Sequence, residues 1–351
     1  MRGKGSGPTS ANGARETHAA PGPPRFDAEL GVWVLSRFSD VSAALHEPQL
    51  WPVGSDGAGS SDIEERTAQA RNRSNVQAAL TAKIAQWKQE LAPVAEEIAA
   101  AIPAGRRIDV VSELASPLGL RLAARVVNID ADEAARLAPV AAKVTASTAN
   151  PEDSALKAEA EAAGAELDRA FRDSTLPMTG PAFVALTQTL PCLLAKAWLV
   201  LFEYPEEMER LRGDPELLPK AVDELLRLAG LARVVHRQAI SQVNVGELRI
   251  DRGQRVNLLL EVANHDPEQF AEPERLDLSR RVTGHFALGA GGHSCVAAAL
   301  IRMAMGVATG VLVERFVPGE QDDPMRWRGG SGFRWPEAVY AVRRALPVRL
   351  S

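Results

Sequence analysis

Hydrophobic residues recur at helical spacing over most of the chain. Residues 64–172 are rich in Ala, Leu, Glu, Lys and Arg, and only the turn signals at 103–105 and 150–151 divide them. Further helices are predicted over 182–202 and 218–228, the second with an apolar face at helical spacing. Residues 64–172 are therefore predicted to be mostly helical, with two more helices before residue 229.

Short apolar runs with the alternating period of strands flank and follow this helical region. The predicted strand segments are 32–35, a hairpin at 243–250, a terminal strand at 346–350, and 255–262, which fits either a buried strand or the start of a helix. Helices are predicted to begin at the Ser39–Asp40 cap and just after Cys295, the latter continuing to about Phe316. The pattern as a whole predicts a mainly α fold, a helical domain with small β-sheets.

Composition narrows the class of protein. With 46% hydrophobic and 24% charged residues among 351, the chain has the balance of a soluble globular protein. Its two cysteines exclude disulfide-rich scaffolds and multi-cysteine zinc modules, and its net charge of −5 argues against a nucleic-acid partner. Residues 1–25 read as a disordered tail, rich in Gly, Pro, Ser and Ala, and 26–351 as one domain.

The sequence shows no recognisable membrane span or secretory signal. The longest apolar stretch, 192–202, is interrupted by Lys196 and is shorter than the roughly 20 residues of a membrane span. The N-terminus carries basic residues but no apolar segment of a secretory signal. We therefore expect a cytoplasmic protein without a membrane partner.

The most informative stretch is a glycine-rich segment that ends at a cysteine. Gly289 and Gly291 precede His293 and Cys295, and a helix is predicted to start at the cysteine. Glycines permit close approach of a flat ligand, and a helix N-terminus favours a thiolate, which is a soft anionic metal ligand. A phosphate-binding loop would need Lys and then Ser or Thr after the glycines, and these are absent. A zinc site would need three or four ligands. A catalytic cysteine and a buried structural thiol remain alternatives.

This segment resembles the haem-binding loop of the cytochrome P450 family, Phe-Gly-x-Gly-x-His/Arg-x-Cys-x-Gly. Two positions depart from that pattern, because Leu288 replaces the Phe and Ala297 the last Gly. The resemblance implies the cytochrome P450 fold, heme b (iron protoporphyrin IX) as cofactor, Cys295 as thiolate ligand of the iron, and His293 as a contact of a haem propionate.

Other segments resemble the family in the same order. Glu224 to Arg227 is similar to its Glu-x-x-Arg motif, and Arg275 lies in a segment similar to its Pro-x-Arg-Phe motif. The resemblance implies an ion network of these three residues beneath the haem loop. Asn264–Pro267 and Leu346–Arg349 match further landmarks.

The family also binds the haem propionates through arginines outside the loop. The resemblance places Arg237 at one of these positions. The expected His of a second, Arg-rich site at 66–73 is missing, so that Arg66 or Arg71 could take its place, and a solvated charged face is the alternative.

The central helix departs from the family. Its oxygen-activating motif, Ala/Gly-Gly-x-Asp/Glu-Thr-Thr, falls on 185–190, where Thr189 keeps the alcohol but Gln188 replaces the acid. An amide orients water but carries no titratable proton. Pro191 is expected to kink the helix and free the carbonyl of Thr187 beside the iron, or to mark a break without catalytic meaning.

The resemblance implies an enzyme that activates oxygen at haem and hydroxylates or couples a small, mostly apolar substrate, such as a biosynthetic intermediate of secondary metabolism. Thr189 and Gln188 would be its catalytic residues, and a ferredoxin and ferredoxin reductase its electron donors. One alternative is an atypical haem-thiolate enzyme that cyclises, dehydrates, transfers a nitrogen group or uses peroxide, because of Gln188. Another is a non-catalytic haem sensor.

The positions predicted to line the substrate pocket are 51–62, Ala185, Thr189, 231–234 and the region of Phe333.

Overall fold

The computed structural model describes residues 20–53, 63–103, 107–149, 153–174, 178–281, 284–317 and 347–350. Helices in these ranges are α1 (Phe38–His46), α2 (Ile63–Ala100), α3 (Ser116–Val127), α4 (Ala131–Ala149), α5 (Ser154–Ala170), α6 (Thr179–Val184), α7 (Leu190–Phe202), α8 (Pro205–Gly213), α9 (Leu218–Ala229), α10 (Leu260–Asn264) and α11 (Ala298–Arg315). Strands are β1 (Arg25–Asp27), β2 (Val32–Leu35), β3 (Leu50–Pro52), β4 (Arg107–Asp109), β5 (Val234–Ala239), β6 (Val243–Val245), β7 (Leu248–Ile250), β8 (Arg255–Leu259), β9 (Phe316–Val317) and β10 (Pro347–Leu350). The predicted mainly α fold with small sheets is confirmed.

One sheet carries several residues of the candidate site. Its strand order is β1-β2-β8-β5-β3, with β2 parallel to β8 and the other pairs antiparallel. In the β3–β5 register Trp51 faces Gln238 and Pro52 faces Arg237. A second sheet has the order β4-β10-β9, and β6 and β7 form the predicted hairpin around Gly246.

The centre of the molecule is a single helical rod, Thr179–Phe202, made of α6, a π-helical turn at Ala185–Thr189, and α7. Among the described residues it is the one helix long and apolar enough to span a membrane, so the expectation drawn from 192–202 alone underestimated it. Most of it is buried inside the fold, where the indole of Trp198 donates to the Thr309 hydroxyl of α11 at 3.1 Å. It packs as a core helix.

Three predicted boundaries are wrong by one to three residues. Helix α1 begins at Phe38 without a side-chain cap, because the Phe38 N–H donates instead to Asp266 at 2.8 Å. Helix α11 begins at Ala298, three residues after Cys295. Strand β1 begins at Arg25, inside the predicted tail, whose first 19 residues lie outside the described ranges. The ambiguous segment 255–262 is strand β8 followed directly by α10.

Candidate functional site

The segment 288–295, the cysteine loop, is a tight turn that presents Cys295. The Cys295 N–H donates to the Leu288 carbonyl at 2.8 Å, and the Gly289 N–H donates to the Phe286 carbonyl at 2.9 Å. Gly289 and Gly291 have φ of +69° and +66°, a conformation in which other residues are strained. The backbone conformation of the cysteine loop thus requires glycine at these two positions.

Gly291 has a second reason to lack a side chain. A Cβ built there would lie 2.1 Å from the carbonyl oxygen of Leu45, near the end of α1. The sequence interpretation assigned this glycine to ligand approach. The structure explains it by the close packing of the cysteine loop on α1.

Cys295 is half-buried and lies among groups that act on its thiol in opposite directions. Burial raises the pKa of the thiol, whereas the Ala297 N–H and the positive charges of Arg73 and Arg302 lower it. Since α11 begins three residues further on, the support for a thiolate comes from this one N–H and two arginines rather than from a helix that starts at the cysteine.

Four hydrogen-bond donors converge beside the loop, and we call them the donor cluster: Arg73, Arg237, His293 and Trp51. Arg73 of α2 donates from Nε to the Gly292 carbonyl at 3.2 Å and from Nη2 to the Ser294 carbonyl. The Trp51 and His293 rings meet edge to face, 4.6 Å between centroids. One long helix, the β3–β5 pair and the cysteine loop therefore meet at one point.

The donor cluster is rich in positive charge. Burial, and then the charge of Arg73, lowers the pKa of Arg237 to about 10. Burial, and then the charges of Arg237 and Arg73, lowers the pKa of His293 to about 4. Neither arginine is paired with an acid in the part of the chain that the structure describes. Such a cluster is electrostatically complete only with an anionic partner.

An orphaned donor supports the same conclusion. The Nε1 of Trp51 is buried and has no hydrogen-bond partner among the described residues. A buried N–H without an acceptor is costly, so the site is built for an acceptor supplied by a ligand. Cationic donors next to a cysteine thiol fit a planar cofactor that is held by the sulfur and carries carboxylates, which are the features of haem.

The Arg-rich segment contributes a residue that the sequence interpretation did not single out. Arg71 is exposed and Arg66 half-buried, whereas Arg73 reaches the cysteine loop. All three lie on the continuous helix α2, where a shift of two residues rotates a side chain by about 200°. Arg73 differs from the other two in lying on the side of α2 that faces the cysteine loop. The local sequence does not show which side of the helix that is.

Beneath the loop, the predicted ion network forms with one different member. Arg227 donates to both carboxylate oxygens of Glu224 at 2.9 Å, and both side chains are fully buried. The third member is Arg280, which donates to Glu224 at 2.9 Å. Arg275 is exposed and pairs with Glu272 at 3.4 Å, so its predicted place in the network is wrong; only its carbonyl takes part, accepting from Arg227 at 3.4 Å.

The central helix borders a cavity of about 500 Å³. Its lining residues come from α4, α5, the central helix and Leu231: Val144, Thr145, Gly164, Leu167, Asp168, Gly180, Pro181, Val184, Ala185, Gln188, Thr189, Cys192 and Leu231. Ala185, Thr189 and Leu231 are among the positions predicted for the pocket. Residues 54–62 and Phe333, also predicted there, lie outside the described residues.

Thr189 and Gln188 differ in what their polar atoms do. Thr189 is exposed to the cavity, and its hydroxyl makes no hydrogen bond within the described ranges. Gln188 donates from Nε2 to the Ala138 carbonyl of α4 at 3.3 Å and to the Thr187 hydroxyl at 3.4 Å. The alcohol is therefore available to a ligand, whereas the amide ties the central helix to α4.

Pro191 lies two residues after a π-helical turn. Within that turn Leu190 donates its N–H to Ala185, five residues back, and Pro191 has no N–H to offer the carbonyls of Leu186 or Thr187. A Cβ built on Gly119 of α3 would lie 2.5 Å from the Leu186 oxygen. The distortion expected from the sequence is present as a local widening of the helix, against which α3 packs closely through a glycine.

Comparison with known proteins places these features in one family. The profile of the family described as Cytochrome P450 matches residues 207–338. Nocardicin C N-oxygenase of Nocardia uniformis is 31% identical, over 87% of this chain and 87% of that protein. Cytochrome P450 107B1 of Saccharopolyspora erythraea is 27% identical, over 85% of this chain and 86% of that protein.

Solved structures show the same fold. The crystal structure of the cytochrome P450 enzyme CYP109B1 from Bacillus subtilis superposes with a TM-score of 0.75, covering 93% of this chain and 95% of that chain at 22% identity. The ligand-free cytochrome P450 TbtJ1 gives a TM-score of 0.76 at 24% identity, with 94% of both chains covered. The two structures share the arrangement of helices and small sheets described above.

Proposed function

The chain belongs to the cytochrome P450 family and is an oxidoreductase of the monooxygenase class, and from this premise we propose that Cys295 holds a heme b through its thiolate. The observation that carries the proposal is the donor cluster beside the cysteine loop: its two arginines have no acidic partner, and the indole N–H of Trp51 has no acceptor, among the described residues. The haem, when bound, supplies an iron that activates molecular oxygen.

Each member of the donor cluster has a defined task in this proposal. Arg73 and Arg237 neutralise the two propionates, and charge-assisted hydrogen bonds from guanidinium groups suit carboxylates geometrically. Trp51 and His293 donate single hydrogen bonds. Because Arg73 also donates to two carbonyls of the cysteine loop, binding of the propionates and positioning of Cys295 are coupled through one side chain.

In the cavity, the chain would position substrate and protons. Thr189 presents Oγ1 to the cavity, where it would hold and orient a proton. The mostly apolar lining excludes water and orients a small, mostly apolar organic substrate. The reaction we propose is hydroxylation or oxidative coupling of that substrate.

The cellular setting is part of the same proposal. We propose a cytoplasmic enzyme that receives electrons from a ferredoxin and its reductase. Nocardicin C N-oxygenase acts, by its name, on nocardicin C. By analogy we propose an intermediate of secondary metabolism as the substrate of this chain. Residues 26–351 would form a single haem domain behind the N-terminal tail.

A second candidate function rests on Gln188. At the position of the family's acid this chain has an amide whose N–H groups donate to Ala138 and Thr187, so it has no titratable proton to deliver. Slow proton delivery favours a haem-thiolate reaction other than hydroxylation, namely cyclisation, dehydration, nitrogen-group transfer or use of peroxide.

Labelling with ¹⁸O₂ separates the two candidates. The enzyme is supplied with a surrogate ferredoxin and reductase and a panel of small apolar compounds, and products are analysed by mass spectrometry. One ¹⁸O atom in the product, with a modest gain in Gln188→Glu, supports hydroxylation by the wild type. Unlabelled product from the wild type without the mass of a coupled substrate, together with labelled product from Gln188→Glu, contradicts hydroxylation and coupling and supports the second candidate.

A further inference from the structure

A single charged side chain lines the otherwise uncharged cavity. Among the described lining residues Asp168, near the end of α5, is the one with a formal charge, and no Lys, Arg or His accompanies it. An isolated carboxylate beside an apolar lining is a specific recognition element, because a few placed polar groups fix the orientation of a ligand in such a pocket.

Asp168 is exposed, and its carboxylate makes no hydrogen bond or ion pair with any residue that the structure describes. Two other acids of α4 and α5, Glu133 and Glu166, both pair with Arg136, at 2.8 and 3.1 Å. What distinguishes Asp168 is its place in the cavity lining, where its solvated carboxylate is available to a cation.

The carboxylate lies at the start of the central helix. A Cβ built on Gly180 would be 3.5 Å from Oδ1 of Asp168, so the carboxylate lies beside the first turn of the central helix. Gly180 also lines the cavity, as does Thr189 nine residues further along the same helix. Asp168 and Thr189 thus mark two ends of one cavity.

We propose, on the basis of the function proposed above, that the substrate is an amphipathic cation. Its protonated or quaternary nitrogen pairs with Asp168, and its apolar body extends along the central helix toward Thr189. The chemistry of the lining carries both halves of the inference: one unpaired negative charge at one end, and aliphatic side chains with a single free hydroxyl at the other.

The helix also sets the length of that substrate. Nine residues at a rise of 1.5 Å separate Gly180 from Thr189 by about 13 Å. Each carbon–carbon bond of roughly 1.5 Å advances an extended zigzag chain by about 1.3 Å, so the reacting carbon lies about ten bonds from the nitrogen. A cation much shorter than this pairs with Asp168 without reaching Thr189.

Binding of three probes of equal chain length to the holoenzyme tests the inference. The probes are decyltrimethylammonium, 1-decanol and decanoate, each below its micellar concentration, with affinities from isothermal titration calorimetry. Asp168→Asn removes the charge at constant shape, and Asp173→Asn, an exposed acid outside the cavity, is the matched control. We expect Asp168→Asn to weaken binding of the ammonium probe about fivefold, to leave 1-decanol unchanged and to tighten decanoate. Asp173→Asn should change none of these.

Equal weakening of all three probes in Asp168→Asn would show a structural effect and overturn the inference, as would an unchanged preference for the cation. Chain length gives a second readout, the shift of the haem absorption band on binding. Decyltrimethylammonium is expected to cause the shift and hexyltrimethylammonium to bind without it; equal shifts contradict the proposed length. A holoenzyme that has a thiolate-ligated haem but shows no cation preference refutes this inference alone.

Discussion

At the scale of single residues, the donor cluster is a set of groups whose charges and hydrogen bonds are incompletely satisfied within the described part of the chain. Trp51 stands out, because its ring is packed against His293 while its N–H has no acceptor among the described residues. Most buried polar atoms in proteins have a partner. The unsatisfied N–H of Trp51 therefore indicates that the ligand carries a hydrogen-bond acceptor at this position.

Replacing Trp51 by Phe keeps the aromatic contact and removes the N–H. We expect the affinity of the apoprotein for haem to fall about tenfold or more, because a hydrogen bond to a charged group contributes about 1.5–3 kcal/mol. The apoprotein itself should become more stable, by about 1 kcal/mol, since the unsatisfied donor is gone. Haem titration and urea unfolding of the apoprotein measure the two effects.

Trp33→Phe is the matched control, because the indole of Trp33 in β2 donates at 3.1 Å to Gln254, in the turn before β8. It should leave haem affinity unchanged and lower stability. If both variants behave alike, the N–H of Trp51 has no role toward the cofactor.

At the residue scale, the sequence is most informative where the groups of a site are neighbours along the chain. Cys295, His293 and the two glycines lie within seven residues, and the structure brings them together in the cysteine loop. Arg73 and Arg280 were missed because each acts at a distance, one through the phase of a 38-residue helix and the other through a loop that turns back on α9. Nearby arginines of equal charge were equally good candidates in the sequence.

At the scale of elements, the π-helical turn and α3 form one unit. Gly119 packs against the Leu186 carbonyl so closely that a methyl group at this position would lie 2.5 Å from the oxygen. The proline was visible in the sequence and indicated a distorted helix. The packing of α3 against this distortion was not visible, because Gly119 lies 67 positions before Leu186 and nothing in the sequence links the two.

Substitution of Gly119 by Ala tests this close packing. We expect a loss of about 1–3 kcal/mol in the free energy of unfolding, because an added methyl forces the two helices apart. The cavity beside the turn should change as well, seen as altered binding of 1-decanol. Urea unfolding and calorimetry measure these effects.

Gly306 of α11 is the control glycine, since nothing lies within 4 Å of a Cβ built there. Gly306→Ala should raise stability by about 0.5–1 kcal/mol through better helix propensity. A Gly119→Ala variant as stable as Gly306→Ala would mean that α3 does not constrain the π-helical turn.

At the scale of the whole molecule, polar clusters join elements that are distant in sequence. Asp223 of α9 accepts from Arg302 of α11 at 2.7 Å and lies 3.4 Å from Nε2 of His285, whose Nδ1 accepts from the Ala287 N–H at 3.3 Å. Burial raises the pKa of Asp223, but these hydrogen bonds outweigh it and hold the pKa below its ordinary value. The cluster links two helices to the segment before the cysteine loop.

A lowered pKa means that Asp223 contributes stability above the unfolded pKa of about 3.8 and loses it as the pH falls further. Asp223→Asn should therefore destabilise the apoprotein by about 1 kcal/mol at pH 7, a value reduced because the carboxylate is partly exposed. The difference from wild type should hold from pH 7 to about 5 and shrink below about 4. Urea unfolding at several pH values measures it, with Asp173→Asn as a control; a difference that grows at low pH contradicts the assignment.

The helices were predictable over most of the described chain, because helical periodicity and turn residues are strong local signals, and the central helix was predicted over 182–202 despite Pro191. The short strands β1, β3, β4, β5 and β9 were not predicted, because segments this short carry little periodicity of their own. Side-chain partners across the molecule were the least predictable part, because they depend on helix phase and on loops whose course the packing determines.

The central claim is that the Cys295 thiolate would hold the iron of a haem, and the absorption spectrum of the reduced, carbon-monoxide-bound protein tests it most directly. The account predicts the red-shifted Soret band of thiolate ligation in the wild type and its loss in Cys295→Ala, with Cys192→Ala as a control that keeps it. A wild-type spectrum without the red-shifted band, or an unchanged spectrum in Cys295→Ala, would contradict the account.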